Sequence, residues 1–491
     1  LTNNTDYVDS IPYIHKWTSA CKPYEIDLNL KFHGMESRLG EQDIRVVDLG
    51  CGTGAMLLLL AESMPNSEFL GIDINPEHIN WANKFARKSN LKNIEFRQEA
   101  FSTTLSKKYG TFDLVICQGI YSWVSELVRQ EVLECIDRLA SPNAALQISW
   151  NTEAGCAQLI PLRSILHEIV KADDRDQKEA WSSAFSMIEM IESMEVPWFE
   201  KNPVGRHRVN GWKKSDFRYL VHEYFNGSWH LSNFNKISGA LSQYGFEFGG
   251  YSLFERWRLN NPDIKFDVTH SGLEELITEL AMCVPHRNDT FVRGRQLEKL
   301  TGIGAECFAC SQPTGLVPVQ VVANQTKDTT GIMYQCLEGP KSVSELLRIY
   351  STDEPAEVIA KIRNEISRGM IIRVDAEVAD VENIHADVNI KMNMEYSSAF
   401  SRTLIDDAEL LADFSCFPSR TTRGGIRIPS TIAQLVDVFC KSNDEHEWFL
   451  ESQKRLATCG VEIGEEELRS ELQSCVKSWI PFMLFHKVLH T

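Results

Sequence analysis

The stretch RVVDLGCGTGAMLLLL, residues 45–60, constrains the fold more than any other part of the chain. An apolar run closes on Asp48, glycines alternate at Gly50, Gly52 and Gly54, and an apolar helical segment follows at once. Alternating glycines let backbone N–H groups turn tightly and approach a ligand closely. A strand–turn–helix junction of this kind belongs to a parallel α/β sheet, whose ligands bind beyond the carboxyl ends of the strands. Alone, the loop leaves nicotinamide, flavin and S-adenosylmethionine (SAM) sites all open.

The same rhythm continues to residue 150. EFLGIDI, IEFRQEA, FDLVICQ and AALQISWN read as strands, with PEHINWANKFARKS as a helix after the first of them. Their unbroken apolar character fits strands covered on both faces. Residues 156–229 then switch to helical spacing, as in LIPLRSILHEIV and AFSMIEMIESM, before LSNFNKISGALSQYGFEFGGYSLF returns to helix, glycine stop and strand. An α/β sheet domain is therefore expected over 1–155, completed by 230–262, with 156–229 as a helical insertion serving as lid or dimer contact. With 491 residues the chain exceeds one hydrophobic core. SVSELLRIYSTDEPAEVIAKIRNEISRGMIIRV reads as helix, turn, helix, strand, and STIAQLVDVF with GEEELRSELQSCVKSWIPFMLF echoes it. Two smaller α+β, winged-helix-like domains are expected, over 263–380 and 381–491, with VDAEVADVENIHADVN as linker.

The strand ends carry the chemistry. Asp48 offers a carboxylate where a dinucleotide site would receive a pyrophosphate, which suits a cationic ligand better. Asp73, followed by Ile74 at the end of the second strand, can accept from both hydroxyls of a ribose. Glu99, Ala100 and Phe101 close the third strand, where a side-chain acceptor and backbone N–H groups can read an adenine edge. DLGCGTG, GIDIN, QEAF and FDLVICQG, in that order and spacing, resemble the class I SAM-dependent methyltransferases. The resemblance implies SAM as cofactor and a Rossmann-like sheet. CQGIYSWV lacks the Asn-Pro-Pro-Tyr or Asp-Pro-Pro-Tyr that many methyltransferases acting on adenine or glutamine carry. Its Tyr121 and Trp123 read equally as core packing or as aromatic walls for an alkylammonium. A dry site also lowers an amine pKa from about 10.4 toward neutrality, and only the neutral amine attacks.

QGIYSWV, ISWNTEAG and YLVHEYFNGSW together resemble a bacterial group of methyltransferases with an extra regulatory region, among them the rickettsial protein-lysine methyltransferases that modify an outer-membrane protein. By position the resemblance implies that Gly50, Gly52, Asp73, Glu99 and Gln118 contact SAM and that Tyr121 and Trp123 line a lysine channel. It also implies that Tyr13, in SIPYIH, belongs to an aromatic segment closing over the cofactor, that Trp150 and Asn151 adjoin the substrate, and that the chain forms a homodimer. Three residues depart from the group: Gln118 stands for a usual His, Trp150 for Tyr and Ala154 for Pro. ACKPYEIDLNLKFHGM replaces the usual helix before the first strand. These departures leave the cofactor reading untouched and open the choice of substrate.

A net charge of -18 and a pI near 5.3 argue against general affinity for nucleic acid or an anionic membrane. MLLLLA, the longest apolar run, is far too short to span a bilayer. The polar N-terminus resembles no signal peptide, and its first residue, not Met, fits a chain begun inside a longer one. Thirteen scattered cysteines fit free thiols in a reducing cytoplasm. Cys283 and His286 with Cys307 and Cys310 have zinc-compatible spacing, but nothing in the resemblance requires a metal and none is assigned. AEVIAKIRNEIS balances its basic residues with acidic ones, which favours protein contact over DNA. His222 and Glu223 read as a bridge from the inserted helices to the sheet domain before an acid–base pair. The expected activity is methyl transfer to lysine side-chain amines of a protein. Two alternatives stand beside it: N- or O-methylation of a small molecule, and a non-catalytic SAM-responsive interaction protein.

Overall fold

The computed structural model describes residues 8, 11–15, 18–35, 37–105, 107–212, 214–251, 271–294, 307–310, 341–350, 355–367 and 371–374, then 395–396, 401–402, 405, 416–419, 424–441, 445–458, 463–475, 483 and 489–490. Its centre is a seven-stranded sheet of β1 (Arg45–Leu49), β2 (Glu68–Asp73), β3 (Ile94–Gln98), β4 (Phe112–Cys117), β5 (Ala140–Asn151), β6 (Phe246–Tyr251) and β7 (His286–Arg293), in the order β3-β2-β1-β4-β5-β7-β6. The pairs among β1 to β5 are parallel, and β7 runs antiparallel to both its neighbours. Strand order reverses between β1 and β4, so the connections leaving their carboxyl ends diverge and open a crevice there. This is the Rossmann-like methyltransferase sheet that the sequence led us to expect.

Helices α1 (Pro23–Phe32), α2 (Ala55–Ser63), α3 (Pro76–Lys88), α4 (Phe101–Leu105) and α5 (Glu126–Leu139) accompany these strands. Nearly all of α2 is buried, because Phe417, Ile428, Ile432 and Val436 from the C-terminal region share its hydrophobic core. That second covered face explains a helix apolar on every side. In α3, Pro76 occupies the first turn and the Asn75 side chain accepts from the N–H groups of Glu77 and His78. The insertion comprises α6 (Glu153–Cys156), α7 (Ile160–Lys171), α8 (Gln177–Ser193), α9 (Pro197–Lys201), α10 (Pro203–Trp212) and α11 (Phe217–Phe225), packed around Trp181, Phe185, Trp212, Tyr224 and Phe225. Then α12 (Phe234–Ser242) leads through Gly245, at φ 76°, into β6.

Two features depart from the expectation. The sheet takes its last strand from 286–293, beyond the 230–262 stretch expected to complete it and inside the range assigned to a middle domain. HRNDTFVR shows no apolar alternation because its buried polar groups bond to one another. Thr290 Oγ1 donates to Gln147 Oε1 (2.6 Å), Gln147 Nε2 donates to Asn288 Oδ1 (2.5 Å), and Arg287 Nε donates to Asp289 (2.9 Å). The second departure is α1, a helix within the stretch expected to replace one; Pro23 at its start and Glu25 in its first turn favour it.

In the C-terminal half, the helices Val343–Ile349 and Pro355–Ser367 are followed by β10 (Ile371–Val374) in the expected succession. That strand joins β8 (Cys307–Cys310) and β9 (Lys341–Ser342) in the order β10-β8-β9. Ser342 and Glu345 form a reciprocal capping box at the first of these helices. STIAQLVDVF and GEEELRSELQS lie in the helices Ser430–Lys441 and Glu465–Ser474. The proposed linker, apart from its first residue Val374, lies outside the described residues. Among the described residues, no helix is long and apolar enough to cross a membrane.

Candidate active site

The turn between β1 and α2 is folded back on β2: the N–H groups of Gly50 and Cys51 donate to Ile72 O at 2.8 and 3.1 Å. Gly50, Gly52 and Gly54 all have positive φ, at 79°, 55° and 68°. A Cβ on Gly50 would strike Ile120 and one on Gly54 the Phe96 ring, whereas at Gly52 nothing lies within 4 Å. Gly54 therefore serves packing under the turn, and Gly52 borders open space. A cavity of about 670 Å³ lies against this turn, lined by Asp48, Gly50, Gly52, Asp73, Ile74, Glu99, Ala100, Phe101 and Gln118, and also by Tyr13, Trp123 and Asn151.

Its acids differ in their surroundings. Asp48 is 6% exposed, and its Oδ1 meets no donor among the described residues. Burial first, and the nearby Asp73 charge second, push its pKa up to about 7. Asp73 is held by donors: Gly52 N–H reaches Oδ2 and Asn75 N–H reaches Oδ1, both at 2.8 Å, and His78 Nδ1 lies 3.4 Å from Oδ1. Tyr13 N–H donates to His78 Nε2 at 3.0 Å, so that nitrogen is the acceptor and Nδ1 carries the proton facing Asp73. Glu99 accepts from Tyr109 Oη at 2.6 Å and from Lys107 Nζ. Burial opposes its charge, but those two donors win and hold its pKa below the usual carboxylate value.

Several sequence expectations need correction. Tyr121 is buried in the core beside His230, with ring centroids 6.3 Å apart, and does not line the cavity. The turn from Ile120 to Trp123, closed by Trp123 N–H donating to Ile120 O at 2.8 Å, sends the two aromatics different ways. Trp150 is 1% exposed and packs under the Arg287 guanidinium, while Asn151 reaches the cavity, as strand alternation requires. Gly54 does not line the cavity either. Gln118 lines it and accepts from Cys21 Sγ at 3.6 Å.

Residues 8 and 11–15 form a strap that meets both the insertion and the sheet domain. Val8 N–H donates to Asn226 Oδ1 (2.9 Å), His222 Nε2 donates to Ile11 O (2.9 Å), and His15 Nδ1 lies 2.9 Å from Thr53 Oγ1. His222 thus bridges insertion and strap as expected, with the Tyr13 ring 5.1 Å from its own, edge to face. Sequence reasoning missed His78, Lys107, Arg163 and Trp229. A lone Arg among the apolar residues of LIPLRSIL was the available signal for Arg163.

Comparison with known proteins agrees with this geometry. Residues 41–208 match a family model described as a methyltransferase domain. The chain carries a SAM-dependent methyltransferase domain. An uncharacterized protein of Synechocystis is 25% identical to this methyltransferase over 362 residues, which cover 70% of the chain and 72% of the relative. An uncharacterized protein of Rickettsia prowazekii is 36% identical over 155 residues, 31% of the chain and 60% of the relative. The structure of PKMT2 from Rickettsia typhi in complex with AdoHcy matches with a TM-score of 0.69 at 16% identity, covering 97% of the chain and 100% of that protein.

The cofactor of the methyltransferase is SAM, and the site suits it. The unpartnered Oδ1 of Asp48 would take the ammonium of the methionine end, Gly52 leaves room for it, and Asp73 would receive ribose hydroxyls. Among the described residues, no three His, Cys, Asp or Glu side chains gather as a metal site. Cys283 is exposed, and His286 Nδ1 lies 3.3 Å from Asn151 Oδ1.

Proposed function

We propose that the enzyme methylates lysine side-chain amines of a protein. What carries the reading is one continuous cavity that runs from the glycine turn and Asp73 to the indoles of Trp123 and Trp229, so cofactor and acceptor subsites share one space. The full-length likeness to PKMT2 and the motifs around Trp123 support it. Bound SAM supplies a methyl group on a sulfonium, open to direct displacement. Asp48 and Asp73 hold the cofactor's polar ends, and the strap at Tyr13 excludes water. The buried Arg163 cation on the cavity wall disfavours a second cation beside it, so the attacking amine arrives neutral. No dedicated base is required, because orientation and deprotonation before attack suffice.

The free thiols among the described residues fit a reducing cytoplasm. The partner we propose for α8 is a second copy, since Met187 and Met190 on the helix and Met194 at its C-cap expose 41%, 52% and 61% of their surface. Incubating the protein with methyl-labelled SAM and bacterial extract tests the acceptor. Acid-precipitable, base-stable label on lysine supports the reading, and label confined to small molecules refutes it.

A further inference from the structure

Arg163 is a buried cation on the cavity wall with no ion-pair partner among the described residues. It is 7% exposed and lines the cavity from α7. Nη1 donates to Glu223 O at 2.8 Å and Nη2 to Asn226 O. Its Cζ lies 5.8 Å from the Trp123 ring and 5.3 Å from the Trp229 ring. A guanidinium carries five N–H donors, and two hydrogen bonds leave three. Among the described residues no carboxylate lies within 4 Å; that of Glu223 attracts it from further away. Burial lowers its pKa to about 10, so the cation persists at neutral pH. Arg208 from α10 lines the same cavity, as do the acids Glu131 and Glu223. Holding two carbonyls at the end of α11 requires donors, and neutral amides would serve at lower desolvation cost.

We infer that Arg163, beside the stacked Trp123 and Trp229 indoles, receives an anionic group of the methyl acceptor. Resting on the proposed function, this names the substrate class: a lysine with an aspartate or glutamate close to it in sequence. Arginine suits the task because its planar fork pairs with a carboxylate through two N–H groups, and an indole-lined site strengthens that pairing.

The test begins with the full chain, methyl-labelled SAM and bacterial extract, and maps the labelled sites by mass spectrometry. Modified lysines with an acidic residue within about three positions support the inference. Peptides copying one such site, with Glu or Gln as the neighbour, are then compared in wild type, Arg163→Met and Arg163→Lys. The wild-type kcat/KM should favour the Glu peptide by about tenfold or more, Arg163→Met should reduce that preference to about twofold or less, and Arg163→Lys should restore part of it. SAM affinity, measured calorimetrically, should stay within about threefold in both variants. Labelled lysines without acidic neighbours, or a preference that survives Arg163→Met, would overturn the inference. So would a loss of SAM affinity in Arg163→Met, which would assign the guanidinium to the cofactor's own carboxylate. Label found only on small molecules sinks the lysine reading instead. The anion site then stands if the labelled metabolite is retained on an anion exchanger and falls if it is not.

Discussion

Asp48 lies buried with one oxygen unpartnered and a pKa near 7, so protons compete with a cationic ligand for it. Calorimetric SAM affinity is therefore expected to be about tenfold weaker at pH 6 than at pH 7.5 in the wild type, and weak but nearly flat with pH in Asp48→Asn. A wild-type profile as flat as the variant's would remove Asp48 from the cofactor site. Asp73→Ala should weaken SAM by at least about tenfold, since it strips the acceptor shared by Gly52, Asn75 and His78. Tyr121 and Trp123 separate in the same manner: with Tyr121 in the core, Tyr121→Phe should leave turnover within about twofold, whereas Trp123→Ala should lower kcat/KM by about tenfold. At this scale the sequence was legible where backbone chemistry dictates residue type. The acids at strand ends and the glycines of the turn are such cases. It was not legible where a turn decides which of two nearby aromatics faces inward.

Among the elements, the strap of residues 8 and 11–15 has its contacts divided between parts that lie far apart in sequence. Val8 and Ile11 meet α11 and the residue after it, while Tyr13 and His15 meet α3 and the glycine turn. His78 joins the strap to Asp73, accepting from Tyr13 and donating toward the carboxylate that would hold the ribose. His78→Phe keeps an apolar ring but loses both bonds, so it should weaken SAM severalfold and make residues 8–15 cleave faster in limited proteolysis; unchanged cleavage would show that the strap does not rely on this link. SIPYIH suggested an aromatic segment near the cofactor, but its hydrogen-bond partners lie 38 to 211 residues away, a distance no local pattern encodes. β7 was hidden for a related reason. Its Asn288 and Thr290 are buried against Gln147 of β5, its Arg287 against Glu275 and Glu279 of the helix Ser271–Ala281, and its Asp289 against that same Arg287, and polarity alone reads as loop.

At the scale of the whole molecule, the far side of the sheet gathers more acid than base in a closed space. Arg287 meets Asp289 at 2.6 Å, Glu275 at 3.0 Å and Glu279 at 3.5 Å, all four buried. One guanidinium cannot neutralise three carboxylates. Burial therefore raises Glu279 to about 7 and Asp289 to about 6 even as Arg287 pulls both down. Folded-state values above the unfolded ones mean that the folded protein holds extra protons, so this stability is fully present below about pH 4 and is lost as pH rises through about 6 to 7. Asp48 contributes in the same direction until a cofactor cation binds it, and the net charge of -18 adds self-repulsion that also grows with pH. The melting temperature should accordingly be several degrees lower at pH 8 than at pH 5.5. The difference between proteins isolates the cluster: Glu279→Gln keeps an oxygen acceptor for Phe234 N–H and Arg287 while removing the titration, so its slope should be shallower than the wild type's. Equal slopes in calorimetry would place the pH dependence in Asp289, Asp48 and surface charge instead of Glu279, and measuring both proteins with saturating SAM, which ties up Asp48, would then separate Asp48 from the other two.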